Sequence, residues 1–173
     1  MTVLSGPLLY AMPEVDAFFC FNVLLTKHMP SYVTPNLDGV HMGCILVDKV
    51  LQEVDVELYN YLQAKFLRAS IYAFPLLMSL LACMPPFQEV LKLWDALFAC
   101  GVHLNVMLTV AQVVLLRDKL LQDPNPYNHL NPRYLPPLNA EVLLAAAYAL
   151  VPHVPEELME QVVAHPLRVN HRK

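Results

Sequence analysis

The chain has 173 residues, which fits one domain with a sizeable core, since a domain of this size buries roughly two thirds of its unfolded surface. Hydrophobic residues make up 57% and charged residues 15%, against typical values of about 45–50% and 25%, so many side chains must face protein or lipid. The net charge of -4 excludes a broad basic field for phosphate backbones, and nucleic acid is not expected as a partner.

Membrane insertion has to be considered, because two charge-free windows, Ala69 to Gln88 and Ala96 to Leu116, are long enough to span a bilayer. Prolines interrupt the first window, and Gly101 with nearby polar residues interrupts the second. We interpret each window as two core elements joined by a turn and predict no membrane span. The start of the chain lacks the basic residues of a secretory signal, which favours the cytoplasm.

The four cysteines stand far apart in apolar runs and form no CxxC motif. They are Cys20, Cys44, Cys83 and Cys100. Buried reduced thiols are the favoured interpretation, over disulfides or zinc ligands, and they suit a reducing compartment.

Helical periodicity dominates the first part of the chain. A helix is predicted over Glu14 to His28, ending before Pro30 because the residue that precedes a proline resists the α conformation. A second helix is predicted from Leu37 to Val54, and Asp55 is expected to cap a third, VDVELYNYLQAKF. The predicted inward positions are Phe18, Phe21, Leu24 and Leu25 in the first helix, Leu37, Val40, Cys44, Val47, Leu51 and Val54 in the second, and Leu58, Tyr59, Leu62 and Phe66 in the third.

The stretch PPFQEVLKLWDALFACG, residues 85–101, reads as a helix with Pro86 in its first turn and Gly101 just past its end. Its apolar stripe comprises Val90, Leu91, Trp94, Leu97 and Phe98. We therefore predict that Trp94 points into the core and that its indole N–H donates to a buried acceptor. Asp95 is expected at the margin, bonded to backbone or to a neighbouring segment.

A cluster of prolines in DPNPYNHLNPRYLPPLN separates the first helices of the chain from the last ones. We predict a helical domain over residues 1–121 and an extended proline-rich connector over 122–138. Further helices are predicted over 139–165, with Asn139 before the first and Pro155 opening the last, followed by a tail over 166–173. No alternating β pattern competes, so the predicted fold class is all-α.

Several blocks of the chain resemble the TBC domain, the helical GTPase-activating domain that acts on Rab-type GTPases. The blocks are LDGVHMG (37–43), VDVELYNYL (54–62), SIYAFP (70–75), PPFQEVLKLWDALFACGVHLN (85–105) and LPPLNAE (135–141). Within that family they are similar to the branch of the fungal spindle-position checkpoint. The resemblance implies an orthogonal multi-helix array, equivalent to the C-terminal subdomain, with motif residues Tyr72, Phe74, Pro85, Pro86, Trp94, Asp95 and Gly101.

TBC domains resembling this one supply an arginine in I-x-x-D-x-x-R and a glutamine in Y-x-Q-G-M-N. The arginine stabilises charge on the transferred phosphoryl group, and the glutamine orients the attacking water. Neither motif occurs here, and Met1 aligns with the internal methionine of the second motif, so we expect the N-terminal half of the domain to be missing. No catalytic residue is assigned, and we expect negligible catalysis by this chain alone.

No other group of residues in the sequence indicates a catalytic, metal-binding or phosphate-binding site. The five arginines are Arg68, Arg117, Arg133, Arg168 and Arg172, and each is expected to be structural, with Arg117 pairing with Asp118 at the surface. Of the seven histidines, only His41 lies one turn from a possible second ligand, Cys44, so no metal site is predicted. No phosphate-binding loop or nucleophile motif is present, and no cofactor is indicated.

The resemblance implies a GTPase-activating subunit for a Rab- or Ras-like small GTPase in mitotic exit or septation. It also implies a partner scaffold subunit and a place in the cytoplasm and at the spindle pole. The alternative is a helical interaction module that binds no GTPase. Without the missing half, exposed apolar surface is expected to cause self-association.

Overall fold

The structure is a computed structural model that describes residues 2–131 and 134–168. Over these ranges the chain forms α-helices with short 3-10 and π segments and contains no β-strand, which confirms the all-α prediction. The helices are α1 (Thr2–Ala11), α2 (Glu14–Val23), α3 (Asp38–Val54), α4 (Val56–Ala64), α5 (Ala69–Tyr72), α6 (Phe74–Ser79), α7 (Phe87–Cys100), α8 (Leu104–Leu115), α9 (Arg117–Gln122), α10 (Tyr127–Leu130), α11 (Ala140–Leu150) and α12 (Glu156–Ala164).

Helix α8 lies at the centre of the core. Every residue from Leu104 to Val113 is buried, including the polar residues Asn105, Thr109 and Gln112. Helices α3, α6, α7 and α11 pack around it. Its buried polar groups bond to backbone: Asn105 Nδ2 donates to Leu77 O at 2.9 Å, and Thr109 Oγ1 donates to Asn105 O at 2.8 Å.

Two predicted helix starts are confirmed by their capping bonds. Asp55 Oδ1 accepts from the backbone N–H of Leu58 at 3.0 Å at the start of α4, and Asn139 Oδ1 accepts from that of Val142 at 3.0 Å at the start of α11. Each side chain satisfies an amide that has no partner within its own helix. Helix α12 begins directly after Pro155, also as predicted.

Three aromatic side chains that were predicted to face inward are exposed instead. Phe18 is 65% exposed, because α2 buries only Ala17 and then continues into a π-helical turn, Leu24–His28, which changes the helical register. Phe98 is 50% exposed because the buried face of α7 includes Leu93, which the predicted stripe omitted. Phe66 is 86% exposed because α4 has already ended at Ala64.

The prediction of four buried cysteines was wrong. Cys44 is buried, but Cys20, Cys83 and Cys100 are exposed, and all four are free thiols. The apolar runs that contain the three exposed residues form helices or turns with an outward face, which composition alone does not show. Pro86 also differs slightly from expectation, since it caps α7 from outside and does not occupy the first turn.

The proline-rich segment, residues 122–138, is less extended than predicted. It contains the short helix α10, and Leu130, Leu135 and Leu138 are buried against the rest of the molecule. The segment therefore adds to the core as well as connecting helices. The division of the chain at residues 121 and 138 stays a prediction.

Both charge-free windows are broken by turns. The first is divided between α6 and α7, and the second at Gly101 between α7 and α8. In the part of the chain that the structure describes, no helix combines the length and hydrophobicity needed to cross a bilayer.

Candidate functional site

Trp94, in the middle of α7, is buried with 2% of its surface exposed. Its Nε1–H donates to the backbone oxygen of Leu80 at 3.0 Å, and its ring meets the edge of Phe98 at a centroid distance of 5.5 Å. The prediction of a core tryptophan with a buried acceptor is confirmed. The bond joins α7 to the turn that follows α6.

That turn places two consecutive leucines, Leu80 and Leu81, in the left-handed region with φ values of 50° and 59°. Such a conformation costs roughly 1–2 kcal/mol for each residue that carries a Cβ. Both side chains are fully buried, and burial of a leucine is worth about 1.5–3 kcal/mol, which offsets the cost. The indole of Trp94 therefore holds a turn that core packing has already stabilised.

The start of α7 is fastened to the segment before α11. The N–H of Leu138 donates to Pro85 O at 2.7 Å, and that of Ala140 donates to Glu89 Oε2 at 2.8 Å. Glu89 also pairs with Lys92 at 2.6 Å, and the bonds from Lys92 and Ala140 lower the pKa of its carboxyl. Glu89 thus stays ionised while it joins two elements that are distant in sequence.

The remaining motif residues serve different local purposes. Tyr72 is buried, and burial with Asp48 and Cys44 nearby raises the pKa of its hydroxyl. Phe74 is half-buried, with its ring 5.3 Å from that of His41. Their role as family motif residues stays a prediction.

Asp95 lies on the exposed face of α7, and Gly101 follows the last residue of that helix. Asp95 is exposed, as expected for a residue at the margin, but the predicted bond was wrong: no hydrogen bond or ion pair of its carboxylate is found within residues 2–131 and 134–168. Gly101 ends α7 with φ of 109°, and a Cβ there would lie 2.7 Å from His103 Nδ1. A glycine is therefore required at position 101 by both conformation and space.

Arg117 makes the predicted ion pair with Asp118, at 3.9 Å, and two closer ones that were not predicted. Its Nε donates to Asp55 Oδ2 at 2.7 Å and its Nη2 to Glu57, whereas Asp118 is 3.9 Å away. The guanidinium therefore links α9 to the start of α4. Arg68 is exposed near Asp48, and Arg168 lines a groove between α3 and α12; Arg133 and Arg172 lie outside the described residues.

No group of three or more His, Cys, Asp or Glu side chains able to hold a metal ion occurs in the described ranges. His41 and Cys44, the pair singled out in the sequence, differ in exposure: His41 is exposed and Cys44 is buried. Burial raises the pKa of the Cys44 thiol to about 12, so the thiolate that binds metal is disfavoured there.

A buried polar cluster that joins residues 31 and 32 to residues 165 and 166 was not predicted. Ser31 Oγ donates to Pro166 O at 2.7 Å, and the backbone N–H of Ser31 donates to the same oxygen at 3.1 Å. Tyr32 Oη lies 2.8 Å from His165 Nε2, and His165 Nδ1 lies 2.6 Å from Val162 O. We name these residues, Ser31, Tyr32, His165 and Pro166, the C-terminal closure. Nothing in the local sequence indicates it, because its halves are far apart.

The molecule is therefore an all-helical domain arranged around the buried central helix α8. Helix α7, which carries Trp94, is bonded to the turn after α6 and to the segment before α11. The chain belongs to the Rab-GTPase-TBC domain family, whose model matches residues 1–121.

Curated relatives extend the similarity to almost the whole chain. It is 43% identical to Cell division control protein 16 of Schizosaccharomyces pombe over 95% of this chain and 55% of the relative. It is 40% identical to the Putative mitotic check point protein BUB2 of Dictyostelium discoideum, over 96% and 45%, and 34% identical to the Mitotic check point protein BUB2 of Saccharomyces cerevisiae, over 95% and 54%. The chain thus spans about half the length of these relatives.

Proposed function

We propose that this chain is the C-terminal portion of a GTPase-activating protein for a Rab- or Ras-like small GTPase that controls mitotic exit or septation. The observation that carries the proposal is the 43% identity to Cell division control protein 16 over 95% of this chain. The two similar mitotic check point proteins support the same process, and the Rab-GTPase-TBC match supports a small GTPase as the partner.

We further propose that the chain alone does not accelerate GTP hydrolysis. An activating arginine must be free to reach the transferred phosphoryl group. Arg117 is held by Asp55 and Glu57, and Arg68 lies near the half-buried Asp48. These contacts, together with the lack of both finger motifs in the sequence, support a binding role without chemistry.

The same relationship supports a scaffold subunit as a second partner and a place in the cytoplasm and at the spindle pole. Both parts of the proposal depend on the resemblance to the checkpoint branch. A tagged chain that co-localises with spindle-pole markers in dividing cells would support the location.

Two measurements on a panel of purified Rab- and Ras-type GTPases test the proposal. GTP-loaded proteins are first captured on the immobilised chain, with the GDP-loaded forms as controls. Hydrolysis is then followed with the chain in excess. We expect one GTPase class to bind and its hydrolysis to rise by less than about tenfold, because an arginine finger is worth about 10³–10⁵.

Each result has a clear reading. Acceleration above about tenfold would overturn the non-catalytic role. Absence of binding across the panel would favour the alternative, a helical interaction module with no GTPase partner.

A further inference from the structure

The turn between the 3-10 segment Pro30–Val33 and helix α3 carries a threonine that is followed directly by proline. Thr34 is half-buried, whereas Pro35 and Asn36 are exposed. Among the serines and threonines of the whole sequence, Thr34 alone precedes a proline. Its backbone is extended, with φ of -63° and ψ of 155°, which is the conformation that a following proline favours. Proline-directed protein kinases act on a serine or threonine in this context.

The hydroxyl of Thr34 is bonded only to backbone groups at the two ends of this turn. Its Oγ1 donates to Ser31 O at 3.2 Å and accepts from the N–H of Asp38 at 2.9 Å. Both bonds are only partly buried. Rotation of the threonine side chain to another staggered position therefore frees the oxygen for reaction, and no helix has to unfold.

A groove that contains two cations begins at the residue that bonds to Thr34. It lies between α3 and α12 and has a volume of about 310 Å³. Its lining residues are Asp38, Met42, Ile45, Lys49, Gln161, His165 and Arg168. Lys49 Nζ donates to Gln161 Oε1 at 3.2 Å, and neither Lys49 nor Arg168 forms an ion pair within residues 2–131 and 134–168. Both cations are thus available to an anion.

The arginine is the cation nearest to the turn. The end of α12 lies against the start of α3, since Gln161 bonds to Lys49 whereas His165 Nε2 is 3.6 Å from the place where a Cβ of Gly43 would be. Arg168 follows His165 by three positions and lines the same groove. It therefore lies at the end of the groove that is close to the turn, and Lys49 lies further along.

The acids around the groove leave this end open to a phosphate. Glu53 follows Lys49 by one turn of α3, and Glu157 precedes Gln161 by one turn of α12, so both carboxylates lie at the far end. Asp38 is the acid among the described residues that line the groove. Its repulsion is offset because its own N–H can donate to the phosphate, at the start of a 17-residue helix where negative charge is favoured.

We propose that Thr34 is a phosphorylation site for a proline-directed protein kinase and that Arg168 holds the phosphate. In the reaction the threonine oxygen attacks the γ-phosphorus of ATP, the bond from that phosphorus to the β,γ-bridging oxygen breaks, and ADP leaves. The hydroxyl proton passes to the general base of the kinase.

The modification changes the bonds of the turn. The ester oxygen can no longer donate to Ser31 O, while the phosphate oxygens accept from the N–H of Asp38 and from the guanidinium of Arg168. Phosphorylation thus fastens the segment after α12 to the start of α3. The inference does not depend on the proposed function.

Mass spectrometry of the purified chain tests the modification. The chain is incubated with Mg²⁺, ATP and a purified mitogen-activated protein kinase, and a Ser-Pro peptide serves as the positive control for kinase activity. We expect one phosphate per chain, on Thr34. Pro35→Ala removes the motif but keeps the hydroxyl and both of its bonds, and this variant should lose phosphorylation at Thr34.

Phosphorus NMR of the phosphorylated chain tests the role of Arg168. The second pKa of a phosphate monoester is about 6, and an adjacent cation lowers it. We expect titration of the phosphorus resonance to give a pKa at least about 0.5 lower in the chain with Arg168 than in Arg168→Gln. Arg68→Gln is the matched control and should leave that pKa unchanged, because Arg68 lies near Asp48, about 15 Å along α3 from Asp38.

Three results would overturn the inference. They are the absence of phosphate on Thr34 while the control peptide is phosphorylated, equal phosphorylation of Pro35→Ala, and equal phosphate pKa values with and without Arg168. Thermal melting followed by circular dichroism checks the unphosphorylated variants, and we expect Pro35→Ala and Arg168→Gln to melt as the unmodified chain does, since both residues are exposed.

Discussion

The buried tryptophan combines a large apolar ring with one directional bond. The ring of Trp94 fills space between α7 and the turn at Leu80, while its N–H satisfies a carbonyl oxygen that the turn leaves free. A buried carbonyl without a hydrogen-bond partner lowers the stability of the fold. The packing of the ring and the bond of its N–H therefore both stabilise the contact between α7 and the turn at Leu80.

Replacing Trp94 by alanine should lower the free energy of unfolding by about 3–5 kcal/mol, because it leaves a cavity and an unpaired carbonyl. Trp94→Phe, which keeps most of the ring but lacks the N–H, should cost less, about 1–3 kcal/mol. Urea denaturation followed by circular dichroism measures both. Unchanged stability with a loss of GTPase binding would show that the ring has a recognition role instead.

His165 makes the stability of the fold depend on pH. Burial, partly opposed by the bond to Val162 O and assisted by the nearby His103, lowers the pKa of its imidazole from 6.5 to about 4. Its Nδ1 faces Val162 O and its Nε2 faces the Tyr32 hydroxyl, so the neutral ring donates at Nδ1 and accepts at Nε2. The unfolded chain binds a proton at a higher pH than the folded chain does.

The contribution of His165 is therefore fully present above pH 6.5 and is lost as the pH falls toward 4. We expect the unmodified chain to lose roughly 2 kcal/mol between pH 7 and pH 5 from this residue alone. His165→Gln should show a smaller loss over the same interval in urea denaturation, while the contribution of His103 remains in both proteins. Equal losses in the two proteins would mean that folding does not lower the pKa of His165.

At the scale of helices, capping residues were more informative than hydrophobic stripes. Asp55, Asn139 and Pro155 predicted the starts of α4, α11 and α12 because a cap acts through bonds within a few residues. The exposure of Phe18 and Phe98 could not be predicted in the same way. Which face of an apolar helix is buried depends on the neighbouring helix, and a π-helical turn shifts that face without a local signal.

Asp55 should be more important to stability than its exposed neighbours. Its Oδ1 caps α4 and its Oδ2 accepts from Arg117. We expect Asp55→Ala to cost about 0.5–2 kcal/mol through the lost cap alone. Asp118→Ala is the matched control and should leave stability unchanged within about 0.5 kcal/mol, since that carboxylate is 86% exposed and 3.9 Å from Arg117. Similar losses in urea denaturation would contradict the assigned geometry.

At the scale of the whole molecule, the core extends beyond the segment that matches the family model. Helix α11 packs along the central helix α8 and buries Leu143 and Ala147. The all-helical fold and helices α2, α3, α4 and α7 followed from periodicity, and the family from motif blocks, whereas α1 and the bounds of the central helix α8 were not predicted. The joining of residues 31 and 165, and of 89 and 140, could not be predicted, because bonds between distant segments leave no pattern in either one.

A chain shortened to residues 1–121 should therefore fail to fold cooperatively. It loses the cover that α11 gives to α8, which exposes apolar side chains of a helix that is buried in the intact chain. We expect a broad thermal transition by circular dichroism, whereas a chain shortened only to residues 1–168 should melt sharply. A sharp transition in the shorter chain would instead support residues 1–121 as an independent domain.

The C-terminal closure also sets an order of events during synthesis. Ser31 Oγ donates to an oxygen 135 positions further along the sequence. At a translation rate of roughly 5–20 residues per second, at least about 7–27 s pass between the synthesis of these two residues. During that interval Ser31 and Tyr32 emerge from the ribosome without their partners, so a nascent chain exposes for most of its synthesis a surface that the finished molecule hides.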